Sequence, residues 1–458
     1  MMSSERNGQD STYLFERMPV PRALLRMAIP TIASQLITLI YNIADTWFIG
    51  RTNNPYMVAV ASLVLTVYML CVAISNLFGV GGGTLAVRRM GTGDREEARK
   101  VSSLSFVMAL GASLAFSLLC LVFSGPLLRF IGASDNTFGY AREYLLVVVV
   151  IGGPFAVMSQ VMSNFVRNVG YSREAGFGLG MGGVLNVVLD PLFMFVILPD
   201  GRQVLGAAIA TMLSNLVTLV FFFMIYGKLR GEGILEVPRR IEMIPGRSMR
   251  ELFAVGIPAA AGILLFDVNN MVLLRLMSGY GDAALAAVGI VLKAERLPLN
   301  VGIGICLGMT PLVAYNFASG DRERMLDFFR TARMAGLIFA LFSVVLYRFN
   351  AARIIRIFIG DPETVRLGTL FLQRRCYATP FMFLSFQMNH YMQGLGCGRE
   401  SFLMTIIRQL CLNMPLLLIL NALFGSMGIV TAQMTADIFN VIASYVIYAR
   451  VKRRLSIS

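Results

Sequence analysis

The sequence is poor in charged residues and in histidine. Charged residues make up only 14% of the 458 residues, whereas 56% are hydrophobic. Soluble proteins carry about 25% charged residues, so this composition excludes an ordinary soluble domain and indicates a protein with many membrane-spanning segments. The single histidine, His390, leaves little room for histidine-based metal binding or acid–base chemistry. If protons are handled here, carboxylates must handle them.

Paired cysteines are also missing from the chain. The six cysteines show no C-x-x-C spacing and lie mostly in apolar runs. This pattern is typical of small packing residues and indicates neither a zinc site nor a disulfide framework. The first twenty residues are polar and carry acids as well as bases, so we expect no cleavable signal peptide.

The formal net charge of +14 has to be interpreted by position. In membrane proteins, lysine and arginine collect in short cytoplasmic loops and set the orientation of the chain. Nucleic-acid binding is therefore the weaker interpretation, and we expect no nucleic-acid partner.

Twelve apolar runs are long enough to span a bilayer, which takes about 20 helical residues. We therefore predict an all-α polytopic membrane protein with twelve transmembrane helices and with both termini on one side. The runs are 26–50, 57–86, 101–124, 138–163, 174–198, 204–227, 249–277, 283–315, 329–349, 364–393, 400–424 and 427–450.

The basic residues orient these helices. If the N-terminus is inside, 26 of the 40 lysines and arginines lie on that side, 9 lie on the opposite side and 5 lie within helices. This bias predicts that both termini are cytoplasmic.

The second half of the chain repeats motifs of the first half at a nearly constant offset. Three pairs of short motifs match: residues 22–30 with 250–258, 93–96 with 320–323, and 170–174 with 396–400. We predict two six-helix bundles related by a pseudo-twofold axis along the membrane normal, with the substrate route between them. The predicted organisation is an N-terminal arm 1–21, an N-lobe 22–227, a basic linker 228–248, a C-lobe 249–450 and a basic tail 451–458.

The most informative stretch is residues 183–195, which includes Asn186, Asp190 and Pro191. An aspartate in hydrocarbon costs about 2.5–3.5 kcal/mol on insertion scales. Proline disturbs the preceding helical turn and frees a carbonyl near Val187. One interpretation is a structural aspartate satisfied by a neighbouring helix. The interpretation we favour is a carboxylate that binds an ion or a proton.

Asp45 in the first predicted helix lies at a similar depth. Arg26 precedes Asp45, and Arg173 precedes Asp190, by about five helical turns in each case. With a rise of about 1.5 Å per residue, the two carboxylates lie within a few ångström of one level and are able to share a proton or bind Na⁺. The alternative is an interfacial aspartate close to Arg51.

The repeat provides a comparison for this site. It places Asn42 on Asn270 but Asp45 on Leu273, which indicates that the N-terminal half is specialised for the coupling ion. The second half has charges of its own, of which Asp267 and Lys293 are the best candidates to face a cavity. The others are Glu295, Arg296, Arg374, Arg375, Arg408 and Asp437, and structural ion pairing, for example of Arg408 with Asp437, is an open alternative for them.

Several features together resemble multidrug and toxic compound extrusion (MATE) transporters over about residues 20–452, and most closely the bacterial MepA-like and DinF-like branches. They are the repeat, the Ile-Pro pairs at 29–30 and 257–258, the two Gly-Asp-Arg-Glu loops, Asn186-x-x-x-Asp190-Pro191, and residues 311–324. The resemblance implies a MATE/MOP-flippase fold and export of organic, usually cationic drugs in exchange for H⁺ or Na⁺. It also implies a monomer in the bacterial plasma membrane, with small-molecule substrates and no cofactor beyond the coupling ion.

Carried over by position, the resemblance implies that Asp45, Asn186, Asp190 and Thr211 form a coupling-ion site. Asp267 resembles the helix 7 acid of the NorM-like branch, but the helix 10 acid of that branch is missing, because no Asp or Glu occurs between Thr364 and Tyr391. The N-lobe site is therefore favoured. For the substrate cavity we predict Asn42, Asp267, Asn270, Lys293 and Glu295.

Two other functions stay open on the sequence. A lipid-linked precursor flippase of the same superfamily would need a cationic cavity, which Lys293, Arg296, Arg374 and Arg375 could supply. A membrane-embedded enzyme would need a compact catalytic set, and the sequence shows none. We therefore expect no enzymatic activity.

Overall fold

The computed structural model describes residues 12–52, 54–229, 234–235 and 243–455. The first part of the predicted N-terminal arm, most of the predicted linker and the last residues of the predicted tail lie outside these ranges. Within the ranges the protein is helical and contains no strand, as predicted.

The helices of the first half agree with the first six predicted runs. They are α1 (Val20–Gly50), α2 (Pro55–Gly91), α3 (Arg95–Val122), α4 (Asp135–Asn168), α5 (Ser172–Ile197) and α6 (Gln203–Leu229). A short helix, Ser124–Phe130, connects α3 to α4. The end of α5 and the middle of α4 are π-helical, at Phe193–Ile197 and Leu146–Ile151.

The second half contains the remaining six. They are α7 (Gly246–Tyr280), α8 (Asp282–Ser319), α9 (Arg322–Phe358), α10 (Pro362–Arg375 and Thr379–Gly394, joined by a 3₁₀ turn), α11 (398–424) and α12 (426–454). The last two form one helical stretch, Gly398–Arg454, which is broken at Gly425. With φ of 59° and ψ of −142°, Gly425 adopts a conformation that is essentially restricted to glycine.

Several helices extend beyond the apolar runs because their first turns are charged. The repeated Gly-Asp-Arg-Glu loops explain this extension. Gly93 and Gly320 have positive φ angles of 82° and 87° after α2 and α8. Asp94 and Asp321 then cap the next helix by accepting a hydrogen bond from the third residue on, at 2.8 and 3.0 Å. The motif is therefore a helix-to-helix turn.

The described residues form two compact units. Unit 1 consists of the residues up to Met18 together with Ala33–Ala260, and unit 2 consists of Pro19–Ile32 together with the residues from Ala261 onward. Both α1 and α7 therefore change unit along their length, at positions that the repeat relates to each other. The predicted lobes 22–227 and 249–450 stay a prediction.

Small residues allow close contacts between helices in unit 1. A Cβ atom on Gly82 of α2 would lie 2.9 Å from the Phe165 ring on α4 and would overlap the Ser105 hydroxyl on α3. Lipid is as apolar as a protein core, so helices in a membrane associate through such packing rather than through a hydrophobic effect. The glycines at 79–83 are accordingly packing residues.

Candidate functional site

Three of the four residues predicted for the ion site are joined by hydrogen bonds in unit 1. The Asn186 amide donates to Asp190 Oδ1 at 3.3 Å and to Thr211 Oγ1 at 3.3 Å. Asn186 and Asp190 lie one turn apart on α5 and share a face, and Thr211 lies on α6. One amide therefore links both helices to the carboxylate.

The α5 helix continues through this polar group. Pro191 lies inside the helix, directly after Asp190, and the residues that follow it adopt the wider π-helical turn. Proline removes a backbone donor, and a π turn is a common local adjustment at functional sites. Asp190 is completely buried and Asn186 is 3% exposed, so these two side chains are shielded from solvent.

Asp45 of α1 reaches the same site. Its carboxylate interacts electrostatically with that of Asp190, and Asp45 itself is partly buried. Close approach of α1 to α5 is possible because Gly183 has no side chain. A Cβ atom there would lie 2.9 Å from Ile37 and 3.0 Å from the Tyr41 ring.

The site has unused acceptor atoms. Asp45 Oδ1, Asn186 Oδ1 and Asp190 Oδ2 are buried and accept no hydrogen bond from the part of the chain that the structure describes. Buried polar atoms are normally paired, and each unpaired one costs free energy. Oxygen atoms are also the ligands that hard cations take in proteins. The arrangement therefore suits a small cation or a proton.

Three tyrosines that were not predicted from the sequence lie around the carboxylates. Tyr41 and Tyr144 interact electrostatically with both Asp45 and Asp190, and Tyr68 interacts with Tyr41. The four-residue spacing of Tyr41 and Asp45 was the only available signal, because it places both on one face of α1. Nothing in the sequence marks Tyr68 or Tyr144.

The candidates for the substrate cavity belong to both units. Asn42 is exposed, and its amide donates to the Thr38 carbonyl of its own helix at 2.8 Å. In unit 2, Lys293 is exposed and Asn270 is partly buried. The neighbouring Asn269, which was not predicted for the cavity, is buried and donates to the Gln409 side chain at 3.0 Å.

Asp267 and Glu295 have different basic partners in unit 2. Asp267 lies 3.9 Å from Arg296, and this pair is partly exposed. Glu295 is buried and accepts a hydrogen bond of 2.6 Å from Arg375. Although predicted together for a cavity, the two acids therefore belong to separate ion pairs.

Arg408 and Asp437 form an ion pair, which is the structural alternative for these two residues. Arg408 Nε lies 2.6 Å from Asp437 Oδ1, and both side chains are buried. Arg374 is exposed on α10. No cluster of three or more His, Cys, Asp or Glu residues able to hold a metal ion occurs among the residues with described positions.

Comparisons with known proteins agree with this architecture. The MatE family model matches residues 30–192 and 258–419, one match in each half. The multidrug export protein MepA of Staphylococcus aureus is 28% identical over 449 residues, which cover 98% of both chains.

Solved structures show the same fold. An outward-facing multidrug resistance MATE family transporter of the MOP superfamily superposes with a TM-score of 0.88 at 22% identity, covering 96% of this chain and 97% of that one. A mutant of the Vibrio cholerae MATE transporter VcmN superposes with a TM-score of 0.89 at 19% identity, covering 95% and 97%.

Proposed function

Because the chain belongs to the MatE family of multidrug efflux transporters, we propose that it is a secondary antiporter. It exports amphipathic, cationic small molecules in exchange for H⁺ or Na⁺. The chain is a multi-pass membrane protein and a transporter rather than an enzyme, as the family and the curated relatives show. The coupling ion and the substrate class are the parts that we propose.

The observation that carries the proposal is the buried polar site on α1, α5 and α6. Asp45 and Asp190 contribute two carboxylates, and the Asn186 amide holds Asp190 next to Thr211. Ionisable residues inside a membrane are rare and mark ion pathways or proton relays. We therefore assign the coupling ion to Asp45, Asn186, Asp190 and Thr211.

Exchange follows if the ion and the substrate use the same negative charge. An ion from outside binds at Asp45 and Asp190 and cancels part of their negative charge, and a cationic substrate then loses its counter-charge and leaves. A ligand shifts a two-state protein only through its different affinity for the two states. The partly buried α1, which carries Asp45, is the element that we expect to respond to occupancy.

Multidrug export is the activity that the name of the MepA relative states, and we extend it to this chain. An apolar pocket in unit 2 is lined by residues that include Ile303, Phe339, Met382 and Phe386. Apolar and methionine-containing surfaces adapt to different ligands, which suits loose selectivity. Of the predicted cavity residues, Asn42, Asp267, Asn270 and Lys293 remain candidates for contact with the substrate.

The lipid-linked flippase is the less favoured function. It requires free positive charge for a pyrophosphate, but Arg296 lies near Asp267 and Arg375 is bound to Glu295. Two of the four basic side chains considered for this role are therefore paired with acids. Lys293 and Arg374 remain exposed.

We further propose a monomer in the bacterial plasma membrane, with both termini in the cytoplasm and no resident cofactor. The basic residues support the orientation, because 26 of the 40 lie on the side of the termini.

Efflux from proteoliposomes tests the function. The purified protein is reconstituted with a fluorescent lipophilic cation such as ethidium inside, and a pH gradient or a Na⁺ gradient is imposed separately. We expect one gradient to drive efflux, which identifies the ion. Asp282→Asn, an exposed carboxylate at the start of α8, is the matched control for charge removal and is expected to behave like the wild type. Failure of both gradients with a panel of cations, together with movement of a pyrophosphate-linked polyprenol, would favour the flippase.

A further inference from the structure

Unit 2 contains a second buried carboxylate site, on α11 and α12. Asp437 Oδ1 accepts a hydrogen bond from Arg408 Nε at 2.6 Å, and Asp437 Oδ2 accepts one from Gln433 Nε2 at 2.7 Å. The Asn413 amide donates to Gln433 Oε1 at 3.1 Å. Both Arg408 and Asn413 lie on the π-helical segment Ile407–Asn413. The four side chains form one connected group.

This group is buried and rich in oxygen atoms. Asp437 is completely buried, and Asn413 and Asn440 are 3% and 2% exposed. Asn440 lies one turn after Asp437 on α12. The side-chain oxygens of Asn413 and Asn440 accept no hydrogen bond among the described residues. Without Arg408, the group would present a carboxylate and unused amide oxygens, as unit 1 does.

The repeat relates the two sites. The MatE family model matches both halves, and the offset that places Gly93 on Gly320 also places Asn186 on Asn413. In unit 1 the asparagine amide bonds directly to the aspartate of its own helix. In unit 2 the position of that aspartate is occupied by the apolar Leu417, and the amide reaches Asp437 of the next helix through Gln433. The carboxylate has changed helix, while the amide is retained.

We propose that Arg408 is a tethered cation that fills a second cation site, so that only unit 1 exchanges an ion. A buried carboxylate requires a counter-charge. In unit 2 arginine provides it permanently, because its side chain does not lose its proton in proteins and cannot leave. The inference goes beyond the proposed function, since it concerns a different site and is tested by binding rather than by transport.

The charges near Arg408 determine whether Asp437 keeps a counter-charge when Arg408 is replaced. Glu295 interacts electrostatically with Asp437, but Glu295 is already paired with Arg375 at 2.6 Å. Arg296 also interacts with Glu295 but is paired with Asp267 at 3.9 Å, so the three acids and three arginines are balanced. Arg408→Gln therefore leaves one carboxylate, that of Asp437, without a counter-charge. Glutamine keeps amide donors and most of the side-chain length, and a monovalent cation then has a site to bind.

Thermal unfolding of the full-length protein in detergent tests the proposal. Tm is measured against NaCl or LiCl at constant ionic strength, with N-methyl-D-glucamine chloride as the replacement salt. The background is Asp190→Asn, in which we expect little dependence on Na⁺. Addition of Arg408→Gln should lower Tm without Na⁺ and produce a rise of several degrees as Na⁺ or Li⁺ is added. Addition of Arg408→Lys, which keeps a positive charge, should produce no such rise.

A charge-balanced variant separates this role from a general need for arginine. Arg408→Gln combined with Asp437→Asn should unfold at a higher temperature than Arg408→Gln alone and should lose the response to Na⁺ and Li⁺. A Tm that responds to pH but to neither cation would overturn the proposal. The proposal would also be wrong if the Arg408→Gln protein failed to fold in the presence of either cation while the balanced variant folded. If the balanced variant also fails to fold, Arg408 does more than neutralise Asp437, and the proposal is wrong. If the Tm of the Asp190→Asn parent itself rises with Na⁺, this counts against the unit 1 site. The effect of Arg408→Gln is then the additional rise in Tm over that of the parent.

Discussion

Thr211 connects α6 to the ion site through one hydrogen bond, from the Asn186 amide at 3.3 Å. Valine has nearly the same shape as threonine but lacks the hydroxyl. A typical hydrogen bond contributes about 0.5–1.5 kcal/mol, which corresponds to roughly twofold to tenfold in an equilibrium constant. We expect Thr211→Val to raise the ion concentration for half-maximal efflux by that factor. Thr211→Ser should retain wild-type affinity, and equal behaviour of the valine and serine variants would exclude a role for the hydroxyl.

The buried Glu295–Arg375 pair allows the effect of one unpaired buried charge on stability to be measured. Removal of one partner from a buried ion pair leaves an uncompensated charge and costs about 3–5 kcal/mol. Glu295→Gln should therefore lower Tm strongly, and Glu295→Gln combined with Arg375→Gln should recover part of the loss. Glu363→Gln, which removes an exposed partner of Arg366, is the control and should leave Tm unchanged. A wild-type Tm for Glu295→Gln would show that the buried pair is not needed for stability.

The site residues that could be predicted from the sequence are those whose position follows from their spacing along a helix. Asn186 and Asp190 share a face of α5 because they lie one turn apart, and Asp45 lies at a similar depth because α1 and α5 enter from the same side. The partner of Glu295 and the tyrosines near the carboxylates were not predicted. Those contacts depend on how each helix is rotated about its axis, and in so apolar a chain the hydrophobic pattern does not determine that rotation.

At the scale of the element, glycines on α5 determine how closely α1 approaches the site. Gly183→Val would place a branched side chain against Ile37 and Tyr41, where even a Cβ atom would lie 2.9 and 3.0 Å from them. We expect this variant to move α1 away from Asp190 and to reduce gradient-driven efflux at least tenfold, which transport in proteoliposomes would measure.

Gly111→Val on α3 is the matched control for this substitution. A Cβ atom on Gly111 has no neighbour within 4 Å among the described residues, and the position is exposed. The control should transport like the wild type. Equal activity of both valine variants would contradict a close α1–α5 contact as a requirement for coupling.

The apolar runs predicted which helices exist more accurately than they predicted the first and last residues of each helix. The structure begins α9 at Arg322, well before the predicted run 329–349, because Asp321 caps a charged first turn. The π-helical segments after Asp190 and around Arg408 were not predicted. A single extra residue in a turn leaves no trace in a hydropathy pattern, although Pro191 marked one of these places.

At the scale of the whole molecule, the repeat predicted a twofold organisation, and the family model matches both halves. The repeat did not show that α1 and α7 each divide between the two units. The apolar runs mark only where a helix lies and do not specify the unit against which each part packs. The charge distribution predicts the orientation, which cysteine labelling can test.

We predict that Asp200→Cys, between α5 and α6, is labelled by a membrane-impermeant maleimide in intact cells. Thr92→Cys, between α2 and α3, should react only after permeabilisation. Cys411→Ser serves as the background, because the other five cysteines are buried. Labelling of the variant at position 92 in intact cells would reverse the orientation.

The central claim is that Asp45 and Asp190 couple ion flux to export. The most direct measurement compares two modes in proteoliposomes: efflux driven by the ion gradient, and counterflow of labelled substrate against unlabelled substrate without a gradient. For Asp190→Asn and Asp45→Asn we predict that driven efflux falls at least tenfold, whereas the control Asp282→Asn retains both modes. Because the substrate uses the same carboxylates in this account, counterflow should fall as well. Loss of gradient-driven efflux with wild-type counterflow would place the defect in ion binding alone. If either variant still shows gradient-driven efflux at the wild-type rate, that carboxylate does not carry the coupling ion.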